Sequence, residues 1–164
     1  MRYGLIVIFC LCSFAASAAP AYDKPYSHEL FVAGGFSHCR MNFLDAGLRY
    51  YHWRNDGQTV LAFSGVAAGC EFSLKQPQQI YVPYLGWQGH VFMLGYGLRA
   101  EYAVNREQKS FGVMPELGWS LFEFLRITAG YRWTLTGNDP LQMQGFRFSV
   151  VGAFPLSLLA GDEE

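Results

Sequence analysis

The sequence predicts an all-β protein, an eight-stranded antiparallel up-and-down transmembrane β-barrel, from three observations. Apolar and polar residues alternate with a period of two, charged residues make up only 15% of the chain and aromatic residues 17%, and the N-terminus has the form of an export signal. Ordinary domains carry roughly 25% charged residues. After this signal there is no apolar run of the ~20 residues that a membrane helix needs, so a closed barrel is the remaining way to satisfy a backbone in lipid.

The second half of the chain has the clearest strand pattern. In the segment 91–102, Leu98 and Tyr102 lie on one face, whereas Arg99 and Glu101 lie on the other. A period of two is typical of β-strands. It continues in the segments 111–121, 124–135 and 146–154, and four weaker segments complete the eight: 29–37, 44–51, 59–70 and 79–88. The segment 59–70 is small and apolar, so the pattern leaves its facing open.

The N-terminus is predicted to be a cleaved signal peptide. Arg2 supplies a positive charge, residues 5–14 form a short apolar segment, and Ala16-Ser17-Ala18 is an A-x-A cleavage motif. We expect cleavage after Ala18, because Pro20 disfavours a cut immediately before it. An uncleaved anchor is the alternative, although the apolar segment is shorter than the ~20 residues that span a bilayer. The expected organisation is a signal peptide at 1–18, a barrel at 19–154 and a periplasmic tail at 155–164.

The composition of the polar face indicates which face is outside. A soluble barrel buries its apolar face, whereas a membrane barrel exposes it. Here the polar face carries Gly, Ser, Thr, Ala and Arg, and the whole chain has nine Arg and three Lys. Small residues suit a narrow barrel interior, and the planar guanidinium of Arg suits enclosed ion pairs. We therefore predict a charge network in the lumen, formed by Glu29, Asp45, Arg49, Arg99, Glu101, Glu116, Arg126, Arg132 and Arg147.

Tryptophans on the apolar face predict an aromatic girdle. The five residues from Pro83 to Trp87 resemble those from Pro115 to Trp119, and both runs lie on even-numbered strands that point the same way. With Trp133, these two tryptophans would lie at the membrane interfaces, unless the repeat is a chance match. Proline removes a ladder donor, so a bulge or weak pairing is expected near Pro83 and Pro115.

The predicted connections differ between the two ends of the barrel. If the N-terminus is periplasmic, the turns on that side are short, at 54–58, 88–90 and near 122–123. The connections on the other side are longer and more polar, at 38–43, 73–78, 104–110 and 136–143. Short periplasmic turns and longer outer loops are typical of outer-membrane barrels.

From this pattern, the signal peptide and a last strand ending at Phe154, the chain resembles the small eight-stranded outer-membrane barrels of the OmpA/OmpX type of Gram-negative bacteria. The resemblance covers roughly residues 28–154. It implies a porin-like topology, a bacterial outer-membrane location, contact with outer-membrane lipids and lipopolysaccharide, handling by the barrel-assembly machinery, and a monomer. The chain departs from these barrels in its tail after Phe154 and in outer loops that are short for an adhesin.

Patterns that would indicate catalysis are scarce. The chain has no G-x-S-x-G, no H-E-x-x-H and no phosphate-binding glycine loop. Candidates for a lipid-modifying site are Ser37, His38 and Glu71 near the outer rim, provided that they approach within hydrogen-bonding reach. Four scattered histidines predict no metal site, no basic stripe indicates nucleic acid, and no cofactor is expected.

Two cysteines, Cys39 and Cys70, remain after the expected cleavage, in an oxidising compartment. Cys39 is predicted in the first outer loop and Cys70 near the outer end of the third strand. A bond between them would cross roughly 10 Å of sheet. A disulfide that pins the loop to the rim and two free thiols are both compatible with the sequence.

The leading functional hypothesis is a non-enzymatic outer-membrane barrel that contributes to membrane integrity or surface interaction. Its lumen is either a water-filled pore or a plug of Arg/acid pairs, and we expect the plug, because side chains just fill an eight-stranded barrel. A lipid A- or phospholipid-modifying outer-membrane enzyme is the second hypothesis. A soluble, secreted, lipocalin-like barrel that binds an apolar ligand is the third.

Overall fold

The computed structural model describes residues 26–55, 60–74, 79–121, 124–137 and 143–157. These residues form eight antiparallel strands in one closed barrel, in which each strand pairs with its neighbours in sequence and β8 pairs with β1. The prediction of eight antiparallel strands closed into a barrel is therefore confirmed. The strands are β1 (Tyr26–Cys39), β2 (Met41–Asn55), β3 (Val60–Ser73), β4 (Tyr81–Val91), β5 (Leu94–Val104), β6 (Lys109–Leu121), β7 (Leu125–Gly137) and β8 (Gly145–Pro155).

Several predicted features lie outside the described residues. These are the signal peptide with its cleavage site, most of the C-terminal tail, and parts of the connections after β2, β3, β6 and β7. Within the described ranges, no helix has the length and apolar character needed to span a bilayer.

Each strand alternates between the lumen and the exterior, and most of the large apolar side chains in the described residues point outward. In β6, Leu117 and Trp119 are 58% and 70% exposed, whereas Met114 between the same neighbouring strands is buried. The same holds in β8, where Phe148 faces outward and Arg147 is buried in the lumen. The polar face of the sequence pattern is thus the inner wall of the barrel.

Apolar clusters lie inside the barrel towards both of its ends. We call the end where β1 begins and β8 finishes the terminal end, and the other the opposite end. Near the terminal end, Phe31 packs edge-on against Tyr51, with ring centroids 5.4 Å apart, in a cluster that includes Phe63. A second cluster, with Phe43 and Ile80, lies towards the opposite end. Charged side chains occupy the lumen between these clusters.

The strand ladders are interrupted beside the two interior prolines. Between β4 and β5, the pairing passes from Tyr81 opposite Val104 to Tyr84 opposite Glu101, without pairing Pro83. Between β6 and β7, it skips Pro115 in the same way, and a register shift lies nearby, between residues 111 and 112. Proline has no backbone N–H to donate, so the expected weak pairing is confirmed.

Two connections differ from the predicted ones. Cys39 and Met41 pair directly, so only Arg40 lies between β1 and β2, and the predicted loop at 38–43 is wrong. The predicted turn at 88–90 is also wrong. β4 continues to Val91, and its His90 side chain is buried in the lumen. Strand pairing extends beyond the apolar alternation in both places, because the ladder needs only backbone groups.

Candidate functional site

The strongest candidate site is the charged centre of the lumen, organised around Arg99 on β5. Its Nη2 lies 3.1 Å from Glu71 Oε1 and 3.3 Å from Glu101 Oε1. Its Nε lies 2.7 Å from Glu116 Oε1. Arg99 is buried together with all three carboxylates. One guanidinium thus joins acids from β3, β5 and β6.

Arg147 of β8 closes this arrangement from the other side of the barrel. Its Nη1 contacts Glu71 Oε2, and it also lies 3.2 Å from Glu101 Oε1. The guanidinium carbon lies 5.4 Å from the centroid of the Phe43 ring, within the range of a cation–π contact. The two acids Glu71 and Glu101 therefore share two arginines, and this sharing offsets their mutual repulsion.

Arg132 of β7 holds the remaining oxygen of Glu101. Its Nε donates to Glu101 Oε2 at 3.1 Å. Its Nη1 and Nη2 donate to the hydroxyls of Thr134 and Ser110 at 3.0 and 3.1 Å. Hydrogen bonds of this kind are needed to repay the desolvation of a buried charge.

Towards the terminal end, the network continues through Glu116 and Arg126. Arg126 Nη2 lies 3.6 Å from Glu116 Oε2 and donates to the carbonyl of Tyr96 at 2.7 Å. Small residues make room for these side chains. A Cβ added to Gly97 would lie 3.0 Å from Arg126 Nη2. The missing side chain of Gly97 on the inner wall therefore leaves the space that the Arg126 guanidinium occupies.

Tyrosines connect the charges on β2 to the rest of the lumen. The Tyr84 hydroxyl donates to Asp45 Oδ1 at 2.8 Å, and the Tyr84 ring lies under the Arg99 guanidinium at 4.6 Å. The Tyr51 hydroxyl accepts from Gln88 Nε2 at 2.5 Å and lies 3.5 Å from Arg49 Nη1.

The structure places eight of the nine residues nominated for the lumen network inside the barrel, all of them buried. Glu29 differs, since it is only half-buried and contacts Ser157 at the terminal end. The sequence did not predict Glu71 as a network member, because the small apolar residues of β3 do not show which side of that strand faces the lumen. The buried set therefore has five arginines and four acids. The carboxylates of Glu71, Glu101 and Glu116 are ion-paired with guanidinium groups, whereas Asp45 accepts from the Tyr84 hydroxyl.

The three catalytic candidates are not brought together. Ser37 and His38 are neighbours on β1, so Ser37 is buried in the lumen and His38 is exposed outside. His38 Nδ1 lies 2.7 Å from Asn42 Oδ1. Glu71 lies in the charged centre, bound to two arginines. No Ser–His pair forms there, because adjacent strand residues point to opposite faces.

Cys39 and Cys70 are both free thiols in the structure, which is one of the two alternatives that the sequence left open. Cys39 is buried in the lumen at the end of β1, where its Sγ donates to the carbonyl of Met143 at 3.3 Å. Cys70 occupies an outward position of β3, opposite Ala46 of β2. The two thiols therefore lie on opposite faces of the sheet, at different heights.

The three tryptophans nominated for the girdle all face outward. Trp87 and Trp133 are each 48% exposed. Trp119 pairs with Leu94 at the start of β5, close to the terminal end, whereas Trp133 pairs with Val113 further along the barrel. These tryptophans therefore lie at different heights on the exterior.

Two histidine rings are in contact on the exterior of the barrel. His28 and His52 are directly opposite each other on β1 and β2, with ring centroids 4.6 Å apart. In the part of the chain that the structure describes, no group of three or more His, Cys, Asp or Glu side chains is arranged to hold a metal ion.

Comparison with protein-family models finds no match, and no curated protein or solved structure is significantly similar to the chain.

Proposed function

We propose that this chain is a non-enzymatic β-barrel of the bacterial outer membrane, comparable to the OmpA/OmpX-type barrels, that contributes to membrane integrity or surface interaction. The observation that carries the proposal is the distribution of side chains across the barrel wall. Arg99, Glu101 and Arg147 are buried inside, whereas Leu117 and Phe146 are 58% and 69% exposed outside. Water solvates charges and lipid solvates apolar groups, so this distribution suits a barrel wall in contact with acyl chains.

The filled lumen supports a structural role rather than transport. The centre is occupied by ion pairs, and apolar side chains such as Phe31 and Phe43 lie inside towards the two ends. An apolar ligand of lipocalin type would have to displace the buried charges. The proposal includes export with cleavage near Ala18, insertion by the barrel-assembly machinery and contact with lipopolysaccharide.

The proposal is tested by extracting the mature protein from outer membranes and comparing its gel migration before and after boiling. We expect detergent-dependent recovery and a compact band that shifts on heating. Recovery in the soluble periplasmic fraction without detergent would refute the membrane location. Stable conducting openings in planar bilayers would refute the plugged lumen.

A further inference from the structure

The turn between β4 and β5, at the terminal end, consists of two large apolar side chains. Phe92 and Met93 are 65% and 58% exposed, and Leu94, which follows them, is 52% exposed. Tight hairpin turns ordinarily carry Asn, Asp or Gly, which suit both the backbone and water. A turn of this composition is poorly adapted to an aqueous environment.

Phe92 also holds an unfavourable backbone conformation. Its φ is 53°, in the left-handed region that is an outlier for a bulky side chain. The other described non-glycine residue with a positive φ is Arg40, at 51°, in the tight connection at the opposite end of the barrel. These two tight connections therefore place different residues in the left-handed region. The one at the opposite end has a charged residue, Arg40, and the one at the terminal end has an aromatic residue, Phe92.

The β4–β5 turn continues into an apolar cleft on the exterior. The backbone N–H of Ser120 donates to the carbonyl of Met93 at 2.9 Å, which ties the turn to the end of β6. The cleft and the turn together form a surface that we call the apolar rim. Its residues are Phe92, Met93, Trp119, Leu121, Leu125 and Ile127.

The apolar rim is continuous with the outer wall and differs in charge from the opposite end. Trp119 of β6 is directly opposite Ile127 of β7 on the exterior face, so the rim includes outward residues of the barrel wall. At the opposite end, the connection between β5 and β6 exposes Arg106 and Glu107. A lipid surface therefore suits the rim better than the opposite end.

We propose that the apolar rim is immersed in the lipid bilayer, with the β4–β5 turn among the acyl chains of the leaflet on its side. This inference rests on the proposed membrane location and goes beyond it, because it places a turn, not only the barrel wall, in lipid. The strain at Phe92 is then balanced by transfer of its ring out of water. The barrel is anchored asymmetrically, more deeply on its β4–β7 side.

The test measures the depth of nitroxide labels in the full mature chain. Each label is attached to one new cysteine, from Met93→Cys, Val150→Cys or Glu107→Cys, in a Cys39→Ala/Cys70→Ala background. The protein is reconstituted in phosphatidylethanolamine/phosphatidylglycerol vesicles. Power-saturation EPR then compares collisions with oxygen, which concentrates in lipid, and with a water-soluble nickel chelate. We expect the labels at 93 and 150 to collide severalfold less with the nickel chelate than the label at 107.

Three other outcomes of the depth measurement would each refute a specific claim. If the label at 93 is as accessible to nickel as the one at 107 while the label at 150 is shielded, the rim inference fails and the membrane proposal stands. If the label at 150 is also accessible, the membrane proposal fails. If the label at 93 is shielded but shows spin–spin broadening, a second copy covers the rim and the lipid inference fails.

A turn variant tests the role of Phe92 itself. Adding Phe92→Asn to the Met93→Cys protein suits the left-handed backbone and removes the ring, so we expect the label to move towards water. Arg40→Asn is the matched control, since it changes a residue of similar φ at the other end. It should leave the depth at 93 unchanged. An unchanged depth after Phe92→Asn would overturn the inference that this ring anchors the turn.

Discussion

Neutralising Glu101 without changing its shape tests whether the lumen network stabilises the barrel. Glu101 is completely buried and lies 3.1 to 3.3 Å from guanidinium nitrogens of Arg132, Arg147 and Arg99. Glu101→Gln leaves no cavity, but it leaves three arginines with fewer buried negative charges. Breaking a buried ion pair on one side costs about 3–5 kcal/mol. With a urea dependence of about 2 kcal/mol per molar, the unfolding midpoint should fall by about 1.5–2.5 M.

The assay is reversible urea unfolding of the protein in detergent micelles, followed by tryptophan fluorescence and by gel migration. Glu107→Gln is the matched control, because Glu107 is exposed in the connection between β5 and β6, and such a change is worth within about 0.5 kcal/mol. Combining Glu101→Gln with Arg132→Gln should recover part of the loss, since both members of one pair are then removed. The reasoning is refuted if Glu101→Gln shifts the midpoint no further than Glu107→Gln.

Three further predictions use the same unfolding assay or mass analysis. Gly118→Ala should lower the free energy of unfolding by about 1–3 kcal/mol through overpacking, because its Cβ would lie 2.6 Å from Thr128 Cα. Gly34→Ala is the control and should be nearly neutral, since its Cβ would have a nearest contact of 3.9 Å. Equal effects of the two substitutions would contradict the crowded inner wall. Phe31→Ala should cost about 3–5 kcal/mol, because its ring is buried in the lumen, and more than Phe148→Ala on the exterior; the reverse order would contradict the facing of β1. Mass analysis of the mature protein should give the same mass with and without reductant, and a difference of two hydrogen atoms would contradict the placement of the two cysteines on opposite faces.

The barrel itself was predictable from the sequence, because successive side chains of a strand point to opposite faces of the wall, and the two faces carry different kinds of residue. Leu98 and Arg99 illustrate this, since the alternation of the segment 91–102 assigned them to opposite faces, and in the structure Leu98 is exposed on the exterior whereas Arg99 is buried in the lumen. Strand ends were less predictable. The ladder continues through His90 and Val91, where the apolar alternation no longer marks it, because backbone pairing does not depend on the side chain.

The missed features share a physical cause. Glu71 was not assigned to the charge network because a strand of small residues has no strong facing signal, and its register with β2 and β4 places it in the lumen. The turn at Phe92 was missed because it lacks the usual turn residues. The sequence left the state of Cys39 and Cys70 open, because Cys39 was expected in a loop, whereas it lies in a strand that fixes the direction of its thiol.

The charged centre also connects the last strand of the chain to strands that precede it in the sequence. Arg147 belongs to β8, while its partners Glu71 and Glu101 belong to β3 and β5. Until β8 pairs with β1, these acids lack one of the guanidinium groups that neutralise them, and the sheet still has two open edges. A chain that stops short of β8 thus has fewer ion pairs at Glu71 and Glu101 together with unpaired backbone groups. Completion of the barrel is therefore expected to be cooperative, with closure of the seam and completion of the ion-pair network occurring as one event.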